Sequence, residues 1–242
     1  MKRPSRLILV AGFVVVALVC ARLGIWQVHR LRERRATNAT LLRARSEAPI
    51  DLLAYRSDSA NAGRTVKARG HYDHANDVVV RGREVGGVPG VEIVSPLIID
   101  HQNAAVLVDR GFVPAPDAVS VVSDSFREPG EREVQGYLSP VASGRGIPLT
   151  HGGRTTWARL DLAALQDRIP YRLYPFAIVQ SPDSSLPRFP RRQPPPDLDD
   201  GPHLYYAIQW FSFSIIALVF AGTMARQTPP ATMPAADHPA AR

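Results

Sequence analysis

One cysteine, Cys20, is all the thiol chemistry that 242 residues contain, so neither an internal disulfide nor a thiolate cluster for zinc or iron–sulfur can be built. Lysine is almost as scarce: of 29 basic residues all but Lys2 and Lys67 are arginine. The net charge of +7 and pI near 10.1 come with no nucleic-acid motif and no aromatic-interleaved basic stripe, so nucleic acid is not the expected partner. Attraction to anionic lipid headgroups accounts for the charge as well. Gly-x-Ser-x-Gly, a phosphate-cradling glycine loop and His-Glu-x-x-His are all missing. The glycines between Gly82 and Gly90 lack the strand, turn and helix that a nucleotide site demands. No nucleophile with a base is legible, and the expectation is that the protein is not an enzyme.

Charge is also missing, locally, from two stretches. Leu7–Val28 carries only Arg22, and Leu204–Thr223 carries none. About 20 helical residues at about 1.5 Å each cross a hydrocarbon core of about 30 Å, so each stretch is long enough to span. Arg22 lies near the end of its run, where a long side chain can snorkel to the headgroups. A secretory leader is the alternative for the first run, with Lys2, Arg3 and Arg6 as its basic start, but no cleavage site follows. Val19 before Cys20 also speaks against a lipoprotein signal. Cys20 then reads as a small packing or lipid-facing residue. The length suits one domain plus anchors.

Between the runs the pattern is mainly β. After the first span, His29 to Arg35 continues helical toward about Glu47 and is stopped by Pro49. Arg64–Tyr72, Asp77–Arg81, Val91–Asp100, Ala105–Val113, Glu133–Ser139 and Phe176–Gln180 are β-branched segments bounded by turn residues, with Ile98–Ala104 as a hairpin. Asp161–Arg168 predicts a helix capped by Asp161, with Leu162, Leu165 and Ile169 on one buried face. Short connections favour antiparallel pairing. The expected fold is therefore an α+β membrane protein, two transmembrane helices flanking an antiparallel β-rich domain or partly closed barrel. Leu186–Pro202, with six prolines, reads as a stiff linker whose Asp199, Asp200 and Pro202 suit a helix start. The expected organisation is 1–28 stub and first helix, 29–202 domain with linker, 203–225 second helix, and 226–242 disordered tail.

Two spans put both termini on one side, so the outer end of the first helix and the start of the second share a leaflet beneath the domain. Trp26, Gln27 and Arg30 then share a depth with His203, Tyr206 and Trp210. Aromatic residues at that depth form an interfacial belt on the plainest reading. Gln27, Gln209 and His203 are harder to explain so, because polar groups near hydrocarbon mark contacts between helices or with a ligand. His203, Tyr206 and Trp210 fall at i, i+3 and i+7, one helix face, which Gln209 does not share. Elsewhere, His71 and His74 would lie on opposite faces of a strand, a poor metal pair, while His101 and His151 stand alone in loops.

Leu23-Gly24-Ile25-Trp26-Gln27-Val28-His29-Arg30 resembles the Leu-Gly-x-Trp-Gln-x-x-Arg signature of the surfeit-locus (Surf-one/Shy-one) family of cytochrome c oxidase assembly factors. Further blocks resemble the family in order: Gly70–Asp73, Ser95–Leu97, Val106–Pro114, Val134–Leu138 and His203–Phe211. Phe112 stands where tryptophan is common, and Gly201-Pro202 where asparagine often precedes the histidine. The resemblance implies a non-enzymatic factor that binds haem a and assists its delivery to oxidase subunit I, working with subunit I and the haem a synthase. His203 would be the iron ligand, with Tyr206, Trp210 and Trp26 completing the haem site. Arg22 and Arg30 would meet propionates or lipid phosphate. A haem-independent membrane scaffold for oxidase intermediates is the alternative. The expected location is a bacterial inner membrane, the start of the span at Leu7 leaving no room for a mitochondrial presequence, with the central domain extracytoplasmic and both termini inside. Arg30, Arg32, Arg34 and Arg35 count against that orientation, but the charge rule is weak for a translocated segment this long.

Overall fold

The computed structural model describes residues 6–55, 62–99, 103–144, 146–151 and 154–226. The expected hairpin tip with His101, and the tail after Gln227, lie outside them. In chain order the elements are α1 (Arg6–Ser46), β1 (Ile50–Asp51), β2 (Thr65–Tyr72), β3 (Val78–Val85), β4 (Val88–Ile99), β5 (Ala104–Pro114), β6 (Glu131–Pro140), β7 (Pro148–His151), β8 (Arg154–Trp157), α2 (Leu162–Gln166), β9 (Arg172–Gln180) and α3 (His203–Arg226). They form two compact units, one of Met1–Asn38 with Asp199–Arg242, the other Ala39–Leu198. The helix after the first apolar run does end just before Pro49, and all six expected strands are present, several longer than expected. Strands β1, β7 and β8 are too short and too polar to have stood out in the sequence.

In the second unit five strands close a ring, β2–β6–β9–β5–β4–β2. Strand β4 makes closure possible. One of its edges pairs with β5 throughout, while the other pairs with β3 over Val88–Val94 and with β2 over Leu97–Ile99. The barrel interior holds Val66, Ala68, Leu97, Ile99, Val106, Val108, Val134, Leu138, Phe176 and Ile178, the inward members of alternating strands. Each Val, Leu, Ile or Phe side chain among them stabilises the fold by about 1.5–3 kcal/mol when fully buried. Gly70 and Gly136 occupy inward positions where a Cβ would lie 2.0 Å from the Ile98 oxygen and 2.1 Å from the Val179 oxygen. Only glycine lets the strands coil that tightly. A second layer covers the outside, Trp157 of β8 with Leu165 and Ile169 against Val80, Leu107 and Ala177. Helix α2 is shorter than expected, but Asp161 caps it, accepting from the Ala164 and Gly146 N–H groups; Leu165 is its buried residue, and Ile169, past its end, is buried too.

The sheet is mixed, not antiparallel. β1 with β2, β3 with β8 and β5 with β9 are parallel pairs. Short connections dictate the direction only of neighbours in sequence. Strand β9 returns after a long excursion through β6, the β7–β8 hairpin and α2, and its direction is set by the slot left between β5 and β6.

Arg110 is the most heavily constrained residue of this unit. Val94 pairs with Asp109 and Ile93 with Gly111, so Arg110 is the extra residue of a β-bulge, and Gly111 follows it at φ +106°. The wholly buried guanidinium donates to Glu128 Oε1 at 2.7 Å, to Ser95 Oγ at 3.2 Å and to the Phe126 carbonyl, and stacks 5.0 Å above the Tyr72 ring. Glu128 Oε1 also accepts from Arg192 at 2.5 Å, and Arg192 in turn donates to Gln180 and to the Pro190 carbonyl. Burial alone would raise the Glu128 carboxyl, but hydrogen bonds from Arg192 and Arg110 hold it below its ordinary value. The proline-rich segment is therefore not only a linker: Arg191 bridges to Phe112 and Arg192 is buried.

Asp109, the residue before the bulge, turns the other way, into a cleft of about 410 Å³ shared with Glu92 and Arg83. Burial, then the charge of Glu92, pushes its carboxyl up to about 7. An unfolded Asp titrates near ~3.9, so the folded state holds a proton that the unfolded chain has lost between those values. Stability from this group is full below about pH 4 and is lost as pH rises through about 7. Asp109→Asn keeps the acceptor for the Gly111 N–H, seen at 2.9 Å, without the charge. Its unfolding midpoint by circular dichroism should match the wild type near pH 4 and exceed it increasingly to pH 8, by a few kcal/mol at about 1.4 kcal/mol per pKa unit. A difference that does not change with pH would contradict this assignment.

Candidate functional site

The first unit is a pair of antiparallel helices, both long and apolar enough to cross a membrane. The buried residues of α1 within it are Ala17, Cys20, Gly24, Gln27, Leu31 and Asn38, those of α3 Ala207, Ser214, Ala217 and Ala221. Spacings of three, four and seven make a coiled-coil seam, and its small side chains let the backbones approach. At Gly24 a Cβ would come 2.8 Å from the Phe211 ring. Ser214 Oγ donates to the Ala17 carbonyl at 2.8 Å, and Phe13 stacks on Phe220 at 5.7 Å. Cys20 is thus a packing residue of the seam.

Beyond the apolar run of α1, its polar turns hold the segment leading into α3. Asn38 Nδ2 donates to the Asp199 carbonyl at 2.8 Å, Arg35 pairs with Asp200 at 2.8 Å, and Arg34 lies 3.6 Å from the Asp199 carboxylate. The acidic pair therefore neutralises α1 arginines as well as preceding a helix. Solvent screens these exposed pairs, so their role is chiefly to set where α3 begins.

At that start stands His203. Its Nδ1 lies 2.8 Å from Gln27 Oε1. An amide oxygen only accepts, so Nδ1 is the donor, and in the neutral ring Nε2 then keeps its lone pair. Gly201, at φ +67°, flanks the ring: a Cβ there would sit 3.7 Å from Nε2 and 3.5 Å from Cδ2. The ring is partly exposed.

The other expected site residues are arranged less tightly. Trp210 is partly buried, continues the seam spacing from His203 and Ala207, and packs edge-to-face on Phe213 at 6.0 Å. Tyr206, 43% exposed, and Trp26, 48% exposed, lie off the seam on their helices. Arg30 pairs with Glu33 at 2.7 Å, and Arg22 is exposed. Gln27 was conspicuous in the sequence as a polar residue at membrane depth, but its partner depends on how the antiparallel helices are offset. The 3–4 spacing of small residues is the sequence signal for that offset.

In the second unit, His74 lies in a 3-10 turn just past β2 rather than on a strand. Its Nδ1 lies 3.3 Å from Asp77 and its Nε2 accepts the Glu128 N–H at 3.0 Å, so neither nitrogen has a lone pair for a metal. Ser95 donates to Asp77 at 2.5 Å and not to the histidine, which leaves this Ser, His and Asp without a nucleophile–base relay. Burial raises the Asp77 carboxyl despite the hydrogen bond from Ser95.

The family model described as SURF1 matches residues 14–215. An uncharacterised SURF1-like protein of Mycobacterium tuberculosis (strain H37Rv) is 28% identical over 256 residues, covering 98% of this chain and 92% of that protein. A SURF1-like protein of Monosiga brevicollis is 26% identical over 84% of this chain and 82% of its own length. Surfeit locus protein 1 of Rattus norvegicus is 26% identical over 60% of this chain, and the match spans only 53% of the rat protein.

The seam makes a direct prediction. With Ala17→Cys and Ser214→Cys in a Cys20→Ser background, oxidation should cross-link the two helices. Adding Gly24→Leu should abolish the link, because its side chain meets Phe211, whereas Gly12→Leu, at a position where a Cβ meets nothing, should leave it intact. Equal loss in both variants, measured by gel mobility of a singly cleaved protein, would refute the seam.

Proposed function

The chain belongs to the SURF1 family, and from that premise we propose that it is a cytochrome c oxidase assembly factor that carries haem a on His203 toward oxidase subunit I. The observation that carries the reading is the state of His203, with Nδ1 tied to Gln27 and Nε2 free at a partly exposed helix end. Neutral imidazole is a good axial ligand for haem iron. The donor set fits the group, since one nitrogen is available and Gly201 adds no side chain beside it. Haem a, when bound, supplies an iron with an axial position to fill and a broad apolar macrocycle. Trp210, Tyr206 and Trp26 would offer aromatic surface to that macrocycle, and Arg22 or Arg30 a cation for its propionates. Helices α1 and α3 hold the protein in a bacterial inner membrane, with the β domain outside the cytoplasm, where subunit I and the haem a synthase are its partners.

A phosphatase that is active only outside the cytoplasm, inserted near Ser123 in the turn Ser123–Phe126, should be active. Activity there of a reporter that works only in the cytoplasm would reverse the orientation.

For the cargo, the purified protein from a host that makes haem a should show a Soret band. His203→Ala or His203→Met should change the ligation state while leaving membrane insertion intact. Burial of the macrocycle, at about 25 cal/mol per Å² of apolar area, can retain haem without the ligand, so the spectrum and not haem content is the readout. An unchanged spectrum in His203→Ala, with oxidase assembly restored in cells lacking the wild-type copy, would overturn the ligand role. Absence of haem from a wild-type protein that still supports assembly favours the haem-independent scaffold.

A further inference from the structure

We propose, resting on the haem-ligand reading of His203, that Gln27 is the positioning residue that fixes the tautomer and aim of that imidazole and limits its strength as a ligand. The Nδ1 to Oε1 distance of 2.8 Å makes Gln27 the acceptor and His203 the donor. A neutral imidazole has one N–H, so placing it on Nδ1 assigns the lone pair to Nε2. Gln27 can enforce this because it is itself held, buried at a seam position one turn from Gly24 and one turn from Leu31. Ala207, the next seam residue of α3 after His203, is buried too, so the backbones on both sides of the hydrogen bond are fixed.

The choice of an amide has a chemical consequence. Metal-bound histidines commonly donate their other N–H to a carboxylate or a carbonyl, which orients the ring and raises its basicity. A carboxylate draws the proton strongly and makes Nε2 a strong donor. An uncharged amide oxygen orients the ring equally well but draws the proton less. His203 is thereby presented as a ligand of ordinary strength, which suits a protein that must pass its cargo on rather than keep it. Gln27→Glu keeps the shape of the side chain and converts the site to the tighter kind.

The test uses the full chain in detergent with ¹⁵N-labelled histidine, the His203 signals being identified by their loss in His203→Ala. Without haem, the wild type should show Nδ1 protonated and Nε2 bare, and Gln27→Leu should lose that preference. Haem a extracted from an oxidase is then titrated in. Gln27→Leu should bind about 10–100-fold more weakly. Gln27→Glu should bind more tightly, with a lower reduction potential and slower transfer of haem to an apo-haemoprotein acceptor. The 17–214 cross-link reports whether each variant keeps the helix pair, and Gln27→Glu serves as the nearly isosteric variant if Gln27→Leu does not. A proton on Nε2 in the wild type, or a tautomer and haem affinity unchanged in either variant with the pair intact, would overturn the role of Gln27. The expected tautomer in a wild type that binds no haem a would instead overturn the cargo reading and leave the positioning of His203 by Gln27 supported.

Discussion

Close approach of two helix backbones is the constraint on which the candidate site depends. A hydrogen bond between Gln27 and His203 requires α1 and α3 to run near enough for two side chains of moderate length to meet. That closeness comes from what the seam lacks: Ala17, Cys20 and Gly24 on one helix, Ala207, Ser214, Ala217 and Ala221 on the other. In lipid no hydrophobic gain distinguishes helix from solvent, so packing and polar ties must hold such a pair together. Ser214 supplies one tie near the middle, and Arg34, Arg35 and Asn38 supply others beyond the apolar part. The site lies between those two sets of ties, on the part of the pair where the offset is best determined.

The β domain solves a different problem. A buried guanidinium is costly unless a buried counter-charge neutralises it. The bulge at Arg110 turns that side chain inward, and Glu128, Ser95 and the Phe126 carbonyl receive it. Arg192, from a segment that composition marks as a linker, is bound to the same carboxylate. One ion cluster therefore fastens β5, the turn carrying Glu128 and the proline-rich return of the chain. Several blocks through which the sequence resembles its family belong to this framework: Gly70 and Gly136 let the barrel coil, Ser95 and Arg110 belong to the cluster, and Gly111 makes room for Arg191.

The sequence by itself determined the elements whose cause is local. Two apolar runs of sufficient length became α1 and α3, Pro49 ended the first, β-branched segments became strands, and Asp161 capped its helix. The family was legible too, because its blocks are runs of adjacent residues. His203 could be singled out as a histidine at the mouth of an apolar helix, and Gln27 as an amide at the same depth. Strand direction was not legible, since β9 takes the slot that β5 and β6 leave for it and its neighbours in the sheet are distant in the chain. Nor was the pairing of Gln27 with His203, 176 residues apart. Propensity, periodicity and capping act over a few residues, within reach of a sequence pattern. Register between helices and order within a sheet are fixed by which surfaces fit at close range, and only the tertiary structure decides that.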